Sequence, residues 1–479
     1  MEMLVQALQS GMASLASYLA AHVLLCLVPA FFIAGALSAL VPQQSIIRFL
    51  GPDAPKWVSY PAAAGAGSLL AVCSCTIQPL FAGIYKKGAG LGPAITFLFF
   101  APAANILALS YTGVALGADF AIARVVLALS FGIGIGMIMA ILFRQDDEVR
   151  LAEQMTFAAG DAISRQTLIF LGVLVALLIA GTLKLSFLDA IWLQFDLPSS
   201  TAPAIQSVLA VWVPVDVAKG AEGLSLQGLV LIVLLMLIAS VAWRGLGQVD
   251  NGFNPQTLLA LILIALTLVF AAIGIRVSEY GLQLTLTTRT VTVAALCGLI
   301  ALLARRFDSW DVQQWLWETW RFVKQIFPLL IVGVFLVGIV RTFIQPEWIQ
   351  TIAGANTVLA NLAGVVFGVF MYFPTLVEVP IAKMFLSLGM HPGPLIAYLM
   401  ADPELSLQSI LITAAIIGKL KAWTYVGLVA LFSTLSGLAY GAWVDGTSLL
   451  MLALAVIAFI TLLVSALHWM NRAATVRSC

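Results

Sequence analysis

Two cysteines separated by one residue form the sharpest chemical feature of the sequence. They lie in Cys73-Ser74-Cys75, and Gln78 and Pro79 follow them closely. In a nonhelical turn, two such thiols can approach one soft ion, and a following proline leaves backbone groups free beside them. Because only five of the 479 residues are cysteines, this spacing is expected by chance only about 0.05 times. We predict that these five residues bind substrate, with the thiols as soft ligands; the alternative is that both cysteines are buried as small apolar side chains.

A pair of charges marks a second apolar stretch, which contains no cysteine. Glu378 and Lys383 flank Pro380 in this stretch. Charged side chains in an apolar environment are costly and usually face a cavity or one another. We predict that Glu378 and Lys383 bind substrate; a structural ion pair between the two is the alternative.

Prolines in two further apolar stretches place polar residues beside expected helix breaks. Asn105 follows Pro102 closely, and Asp402 and Glu404 flank Pro403. A proline inside a helix removes a backbone hydrogen bond and frees carbonyl oxygens. Asn105 is therefore a predicted substrate ligand. Asp402 and Glu404, like the glutamate of the second stretch, are predicted carriers of a coupling proton, unless they lie in an external loop.

The amino-acid composition indicates the class of protein, and so the kind of secondary structure that must position these residues. Only 9% of the residues are charged, the mean hydropathy is +1.06 and the formal net charge is +1, whereas about 25% of a soluble globular protein is charged. These values exclude a soluble enzyme and a disordered protein, and a net charge near zero offers no field for a nucleic acid. We predict a polytopic protein of the lipid bilayer. The three histidines show no ligand spacing, and we predict no cofactor.

An all-α membrane fold follows, because a bilayer core of about 30 Å needs roughly 20 apolar residues per helix. Cutting the chain at charges and at Pro/Gly clusters predicts eleven spans, at 17–40, 92–115, 120–143, 167–185, 226–243, 257–275, 285–304, 326–344, 393–416, 422–443 and 448–469. Two stretches, 57–87 and 358–388, are too long for one helix and too short for two, and are predicted to be re-entrant hairpins. Arg124 and Arg289 are expected to snorkel from their spans.

Basic residues in short loops predict the orientation, because lysine and arginine prefer the cytoplasmic side. If the N-terminus is outside and the C-terminus cytoplasmic, Lys86, Lys87, Arg144, Lys419 and Lys421 all lie inside. We expect a multi-pass protein of the cell (inner) membrane.

One polar segment before a span is rich in tryptophan. The segment 307–323 contains four tryptophans among acidic residues. Tryptophan is typical of the headgroup region. We therefore predict an interfacial helix that lies on the inner leaflet.

Structure-breaking residues recur at a spacing of 301 positions. The matched pairs are Gly67 and Gly368, Pro79 and Pro380, Gly88 and Gly389, Pro93 and Pro394, Pro102 and Pro403, and Gly117 and Gly418. We predict a first unit, 14–143, and a second unit, 322–443, joined by a linker unit, 144–321, with four spans and the interfacial helix; the last span and a cytoplasmic tail occupy 444–479. Because the units are expected to have opposite orientation, inverted repeats with a site at the midplane indicate a transporter, and a channel of the same symmetry is the alternative.

The motifs of both units resemble the predicted permease family that includes the arsenic and organoarsenical efflux permeases. In the first unit the resemblance rests on the Cys-Ser-Cys motif, on Lys86-Lys87-Gly88-Ala89 and on Ala101-Pro102-Ala103-Ala104-Asn105; in the second it rests on Glu378-Val-Pro380, Gly389 and Asp402-Pro403. It covers about half of the chain, and the family pattern has glycine where this chain has Ala101. The resemblance implies export of a trivalent arsenical or a related soft species, with thiol contact near Cys73 and Cys75.

The sequence leaves three functions open. The first is a secondary transporter that moves a small soft metalloid species, with proton coupling through Glu378, Asp402 or Glu404. The second is a transporter of a small anion or sulfur compound, held by helix ends and Lys383. The third is a membrane thiol oxidoreductase that uses the cysteine pair, which is disfavoured because the spacing is not Cys-x-x-Cys. The expected partners are a small substrate and the bilayer.

Overall fold

The computed structural model of the chain describes a set of ranges that leaves out several connections and the C-terminal segment. The described residues are 2–21, 23–51, 54–69, 74–155, 163–182, 187–199, 201–213, 215–216, 221–278, 281–341, 343, 347–371, 375–448, 451–452 and 458. The predicted last span, 448–469, and the tail therefore lie almost wholly outside the described residues.

Helices dominate the described part of the chain. They are α1 Glu2–Ala21, α2 Val28–Leu40, α3 Gln43–Leu50, α4 Lys56–Leu69, α5 Ser74–Lys86, α6 Leu91–Ala103, α7 Ile106–Ala115, α8 Ala118–Leu142, α9 Arg144–Met155, α10 Arg165–Thr182, α11 Thr201–Trp212, α12 Leu226–Gly245, α13 Pro255–Ala271, α14 Thr288–Ala304, α15 Ser309–Arg341, α16 Glu347–Ala353, α17 Val358–Met371, α18 Thr375–Ser387, α19 Pro392–Ala401, α20 Leu407–Ile417 and α21 Lys419–Val444. A π-helical segment, Val23–Leu27, leads into α2, and a 3-10 helix, Leu246–Asn251, follows α12.

Six helical stretches among the described residues are long and apolar enough to cross a bilayer. They contain α2, α8, α10, α12, α15 and α21, and shorter apolar helices accompany them. Each of the six overlaps a predicted span, so the chain is a largely helical membrane protein, and the total number of spans stays a prediction. Each predicted hairpin contains two helices, α4 and α5 in one and α17 and α18 in the other.

The predicted interfacial helix at 307–323 is not a separate element. The segment is the first half of α15, which runs for 33 residues without the expected break before 326. The side chains of Trp315 and Trp320 are buried against neighbouring helices. The indole of Trp315 donates a hydrogen bond of 2.9 Å to the carbonyl of Phe32. Packing against α2 therefore keeps this part of α15 in the helix bundle.

A small sheet departs from the predicted all-α fold. Strand β1 (Ile191–Pro198) pairs antiparallel with β5 (Gly281–Thr287), which pairs with β4 (Gly274–Ser278). Two short strands, β2 (Val215–Asp216) and β3 (Ala221–Glu222), form a second pair. The predicted span 285–304 therefore begins only at α14, and Arg289 in its first turn forms an ion pair of 2.9 Å with Asp189.

The helices of the two units begin at corresponding positions. Helices α5, α6, α7 and α8 begin at 74, 91, 106 and 118, and α18, α19, α20 and α21 begin at 375, 392, 407 and 419, which is 301 later in every case. The predicted spans 92–115 and 393–416 are both divided, one between α6 and α7 and the other between α19 and α20. Gly88 and Gly389 both have a positive φ, of 91° and 90°. Breaks and turns thus occur at matched places.

Helices α8 and α21 cross in opposite directions at equivalent residues. Phe131 and Phe432, which are 301 positions apart, have ring centroids separated by 5.0 Å. Phe120, near the start of α8, contacts Tyr440, near the end of α21. Contacts also link α5 with α20 and α18 with α7. Each unit therefore inserts one helix of its predicted hairpin beside the divided span of the other.

Candidate functional site

A buried ion pair joins the two units at the centre of the site. The guanidinium of Arg124 in α8 lies 2.8 Å from a carboxylate oxygen of Glu378 in α18, and their side chains are 0% and 1% exposed. Arg124 therefore does not snorkel, and the predicted alternative of a pair between Glu378 and Lys383 is wrong. Lys383 lies on the exposed side of α18, so the structure does not bring it to the glutamate.

The break between α6 and α7 supplies partners for the arginine. Helix α6 ends at Ala103, and the carbonyl of Ala103 accepts a hydrogen bond of 2.7 Å from Nε of Arg124. The hydroxyl of Thr112 in α7 accepts a second one, of 3.2 Å, from Nη1. A helix end leaves carbonyls without partners in the helix. The divided span therefore binds the buried cation that faces the second unit.

Asn105 holds the same break together. Its side-chain oxygen accepts a hydrogen bond of 2.9 Å from the backbone N–H of Ala108, which makes it the N-cap of α7. Its amide nitrogen donates to the carbonyl of Ala101 at 3.1 Å. Both ends of the side chain are thus engaged with backbone, and substrate binding by Asn105 stays a prediction.

The equivalent break of the second unit holds two buried acids. Asp402 and Glu404 lie between α19 and α20 and are 0% and 4% exposed. The alternative of an external loop is therefore wrong. The hydroxyl of Tyr425 donates a hydrogen bond of 2.8 Å to Oε2 of Glu404. Glu404 and Glu378 are close enough to interact electrostatically, so three acids and one arginine contribute to one buried region.

Two carboxylate oxygens of this region have no hydrogen-bond partner among the described residues. They are Oε2 of Glu378 and Oε1 of Glu404. A buried carboxylate without a partner is strongly destabilised unless it gains a proton or a cation. These two oxygens are therefore the positions of the buried region at which a proton or a small cation would be stabilised.

The two units also meet through neutral polar groups. The hydroxyl of Thr413 in α20 donates a hydrogen bond of 3.2 Å to the side-chain oxygen of Gln78 in α5, and both side chains are buried. Pro79 follows Gln78 inside α5. Gln78 thus lies at a contact with the opposite unit, and substrate binding by Gln78 and Pro79 stays a prediction.

The cysteine motif lies only partly within the described residues. Cys73 lies outside them, as do the side chains of Ser74 and Cys75. The backbone of Ser74 and Cys75 forms the first turn of α5, not the nonhelical turn that the spacing suggested. Among the residues that the structure describes, no group of three His, Cys, Asp or Glu side chains could hold a metal ion. Thiol binding at Cys73 and Cys75 stays a prediction.

Helix α9 fastens the turn between α5 and α6. The guanidinium of Arg150 donates to the carbonyl of Ala89 at 2.7 Å and to the carboxylate of Asp147 at 2.6 Å. Asp147 in turn accepts a hydrogen bond of 2.8 Å from the backbone N–H of Leu91. Burial lowers the pKa of Lys87 in this turn, and the carboxylate of Glu318 opposes that effect.

The same helix contacts the second unit. Asp146 of α9 forms an ion pair of 3.2 Å with Lys421, in the first turn of α21. Lys421 also lies 5.7 Å from the ring centroid of Phe143 at the end of α8. The start of α21 and the turn after α5 therefore lie at the same end of the molecule.

Comparison with known proteins covers both units and the linker unit between them. A sequence model of a family described as "predicted permease" matches residues 9–442. A UPF0718 protein of Methanocaldococcus jannaschii is 34% identical over 426 residues, which cover 88% of this chain and 93% of that protein. No solved structure matches the chain. The range matched by the family model thus spans the positions of Arg124, Glu378, Asp402 and Glu404.

Proposed function

The chain belongs to the predicted permease family, so it is a membrane transport protein rather than an enzyme, and we propose that it exports a small soft metalloid species, a trivalent arsenical, by alternating access. Membership of the permease family argues against the alternative of a thiol oxidoreductase. The proposed location is the cell (inner) membrane, with the N-terminus outside and the C-terminus cytoplasmic.

The observation that carries the proposal is the buried ion pair of Arg124 and Glu378 between two divided spans. Charges at membrane depth are typical of substrate and ion pathways. Interrupted helices in corresponding positions of two halves are typical of the binding sites of secondary transporters. The ion pair joins α8 of the first unit to α18 of the second, where relative motion of the units would open or close a path.

We propose that the two units are inverted repeats. The antiparallel crossing of α8 and α21 at Phe131 and Phe432 supports this arrangement, because equivalent helices of inverted units run in opposite directions. The reciprocal contacts of α5 with α20 and of α18 with α7 support a twofold axis in the membrane plane. Such an axis gives two related states, one open to each side.

The coupling proton is proposed to reside on Glu404. Glu378 is balanced by the guanidinium of Arg124, whereas the hydrogen-bond partner of Glu404 is the neutral phenol of Tyr425. The lower-energy form of a buried carboxyl without a cation is the protonated one. Asp402 lies in the same break and is proposed as the neighbouring acceptor. Arg124 would then hold Glu378 ionised and keep the units together until protons redistribute.

The substrate is proposed to contact the thiols of Cys73 and Cys75 at the start of α5. Helix α5 also carries Gln78, which reaches the second unit through Thr413. Soft thiolate ligands suit trivalent arsenic, and a site with two thiols releases its ligand more readily than a closed cage of four. Binding must stay weak enough for release into the opposite compartment.

Transport by purified protein tests this function. We expect proteoliposomes to accumulate arsenite or methylarsenite when a pH gradient is imposed. The double variant Cys73→Ser with Cys75→Ser should lose that uptake. Cys297→Ser is the matched thiol control, because Cys297 lies in α14 of the linker unit, and it should leave uptake unchanged. Uptake that persists in the double variant would contradict the thiol role. Uptake that follows only the concentration gradient of the substrate, with no response to the pH gradient, would indicate the channel alternative.

A small anion or sulfur compound is the second candidate, and the fully buried guanidinium of Arg124 favours it. An arginine that is released from its carboxylate partner can bind an oxyanion with two parallel hydrogen bonds. Uptake of thiosulfate or sulfite, lost in Arg124→Lys but kept in the double cysteine variant, would favour this candidate over the arsenical.

A further inference from the structure

An apolar groove runs along the surface where α2, α12 and α15 meet. Its volume is about 340 Å³, and its walls include Val28 of α2, Leu235 and Ala239 of α12, and Phe327 of α15. Met236, also in the lining, is 61% exposed. The groove therefore opens outward, away from the buried acids, onto the surroundings of helices that are apolar enough to span a bilayer.

The length of the groove matches one leaflet of a bilayer. Its lining on α15 extends from Thr319 to Ile331, which at 1.5 Å per residue is about 18 Å. Half of a bilayer core is about 15 Å thick. One extended acyl chain can therefore lie along the groove from the interface to the midplane.

One end of the groove carries interfacial and basic side chains. Trp243 and Trp320 line it and meet edge to face, with ring centroids 6.0 Å apart. Lys324 lines it one turn further along α15, and its ammonium lies 5.0 Å from the ring centroid of Trp317. Tryptophan and lysine are the residues that anchor a protein at the headgroup level. A lipid in the groove would therefore have its headgroup at this end.

The charge at this end has no counterion in the described protein. No carboxylate among the described residues lies within salt-bridge distance of Lys324, in contrast to Arg321, which pairs with Glu318 at 2.7 Å. A phosphate at this end of the groove would bring the negative charge that complements Lys324.

We propose that this groove binds an anionic phospholipid, with one acyl chain between α12 and α15 and its phosphate near Lys324. The predicted orientation places this lipid in the cytoplasmic leaflet. The inference does not depend on which substrate the protein transports.

Native mass spectrometry of the full chain tests the proposal. The protein is purified into detergent with equal amounts of dioleoylphosphatidylglycerol and dioleoylphosphatidylcholine. We expect one phosphatidylglycerol to be retained in preference to phosphatidylcholine. Lys324→Ala should lower that preference about fivefold, the effect of one lysine at an anionic surface. Ala239→Trp should abolish retention, because the indole fills the groove.

Two matched variants control for bulk and for charge. Ser240→Trp adds the same indole on the next residue of α12, whose side chain is not part of the lining, and it should keep the lipid. Arg306→Ala removes an exposed cation elsewhere and should keep the preference. Equal loss in Ala239→Trp and Ser240→Trp, or equal retention of the two lipids by the unchanged chain, would overturn the proposal.

Photo-crosslinking identifies the occupant without filling the groove. A benzophenone side chain at Met236 should give a mass increase of one phospholipid. Capture of a second copy of the chain, or of the segment 448–469, would overturn the proposal in favour of a protein occupant.

Discussion

In the first unit, helix α8 carries an arginine at position 124, whereas helix α21 of the second unit carries a tyrosine at the equivalent position, 425. Their partners are also equivalent: Arg124 bonds the carbonyl of Ala103, and Tyr425 bonds the carboxylate of Glu404, 301 positions later. The same geometry thus presents a fixed cation from one side and a carboxyl from the other.

The two units share a backbone frame but form one asymmetric site. Helix starts and positive-φ glycines match between the units, so the frame depends on backbone geometry. The polar groups do not match: Glu378 corresponds to Ile77, and the cysteine motif has no counterpart in the second unit. On this view the first unit supplies the cation and the thiols, and the second unit supplies the acids that exchange protons.

Removal of one charge from the buried pair has the largest expected effect. In Glu378→Gln, Arg124 remains charged without its carboxylate, and we expect the free energy of unfolding to fall by about 3–5 kcal/mol. Thermal unfolding in detergent measures this loss. The double variant Arg124→Gln with Glu378→Gln should recover much of the stability, because it leaves no buried charge unpaired. It should not recover transport. Equal destabilisation of the single and double variants would contradict the pairing.

The second-largest effect is expected when Glu404 of the second unit is neutralised, which should uncouple transport from the proton. Glu404→Gln cannot exchange a proton, so the stimulation of uptake by a pH gradient should fall by about 5-fold to 150-fold, the range of a coupling free energy of 1–3 kcal/mol. Exchange of substrate without a gradient should continue. Tyr425→Phe removes only the hydrogen bond and should keep the stimulation. If the pH dependence of uptake is unchanged in Glu404→Gln, the proton is carried by Asp402 or Glu378 instead.

Equivalent glycines test whether the frame is shared. Gly117 and Gly418 have φ of 115° and 91° at the starts of α8 and α21, and a Cβ at either would meet no atom within 4 Å. Only backbone strain then opposes alanine, so Gly117→Ala and Gly418→Ala should each cost about 1–3 kcal/mol. Gly134→Ala is the control: its Cβ also meets nothing, but it lies inside α8. Chemical denaturation that finds clearly unequal costs at the two glycines would argue against a shared frame.

The phenylalanine crossing gives the smallest effect. A double-mutant cycle with Phe131→Leu and Phe432→Leu should report a coupling of about 0.5–1.5 kcal/mol, the range for aromatic pairs beyond their buried area. The two single variants should have similar costs, because each ring occupies the same place in its unit. A coupling free energy near zero would mean that α8 and α21 do not cross at these two phenylalanines.

Local signals in the sequence predicted the frame well. Pro102 and Pro403 predicted breaks in two spans, and the structure divides both spans there. The continuous α15 was missed because a tryptophan-rich segment is typical of an interface, whereas Trp315 is buried by packing against α2. The sheet was missed because its strands, β1 and β5, pair across a long stretch of sequence.

The central partner of the site was also missed. Arg124 lies near a helix end, so snorkelling was expected, and its carboxylate partner is on the other unit, beyond the reach of any local pattern. One available signal was the spacing itself: position 124 maps to Tyr425 and Ala103 maps to Glu404 at the same offset. The polar residues at the equivalent positions 124 and 425 would have indicated the meeting point.

Cysteine labelling from each side of the membrane tests whether the two units have inverted orientation. Lys87 and Lys421 lie at one end of the molecule, while Ser387 occupies the equivalent turn of the second unit. With a membrane-impermeant maleimide, Lys87→Cys and Lys421→Cys should react from the cytoplasmic side and Ser387→Cys from the outside, each above the labelling of the unsubstituted chain. Reaction of Lys87→Cys and Ser387→Cys from the same side would contradict the inverted orientation.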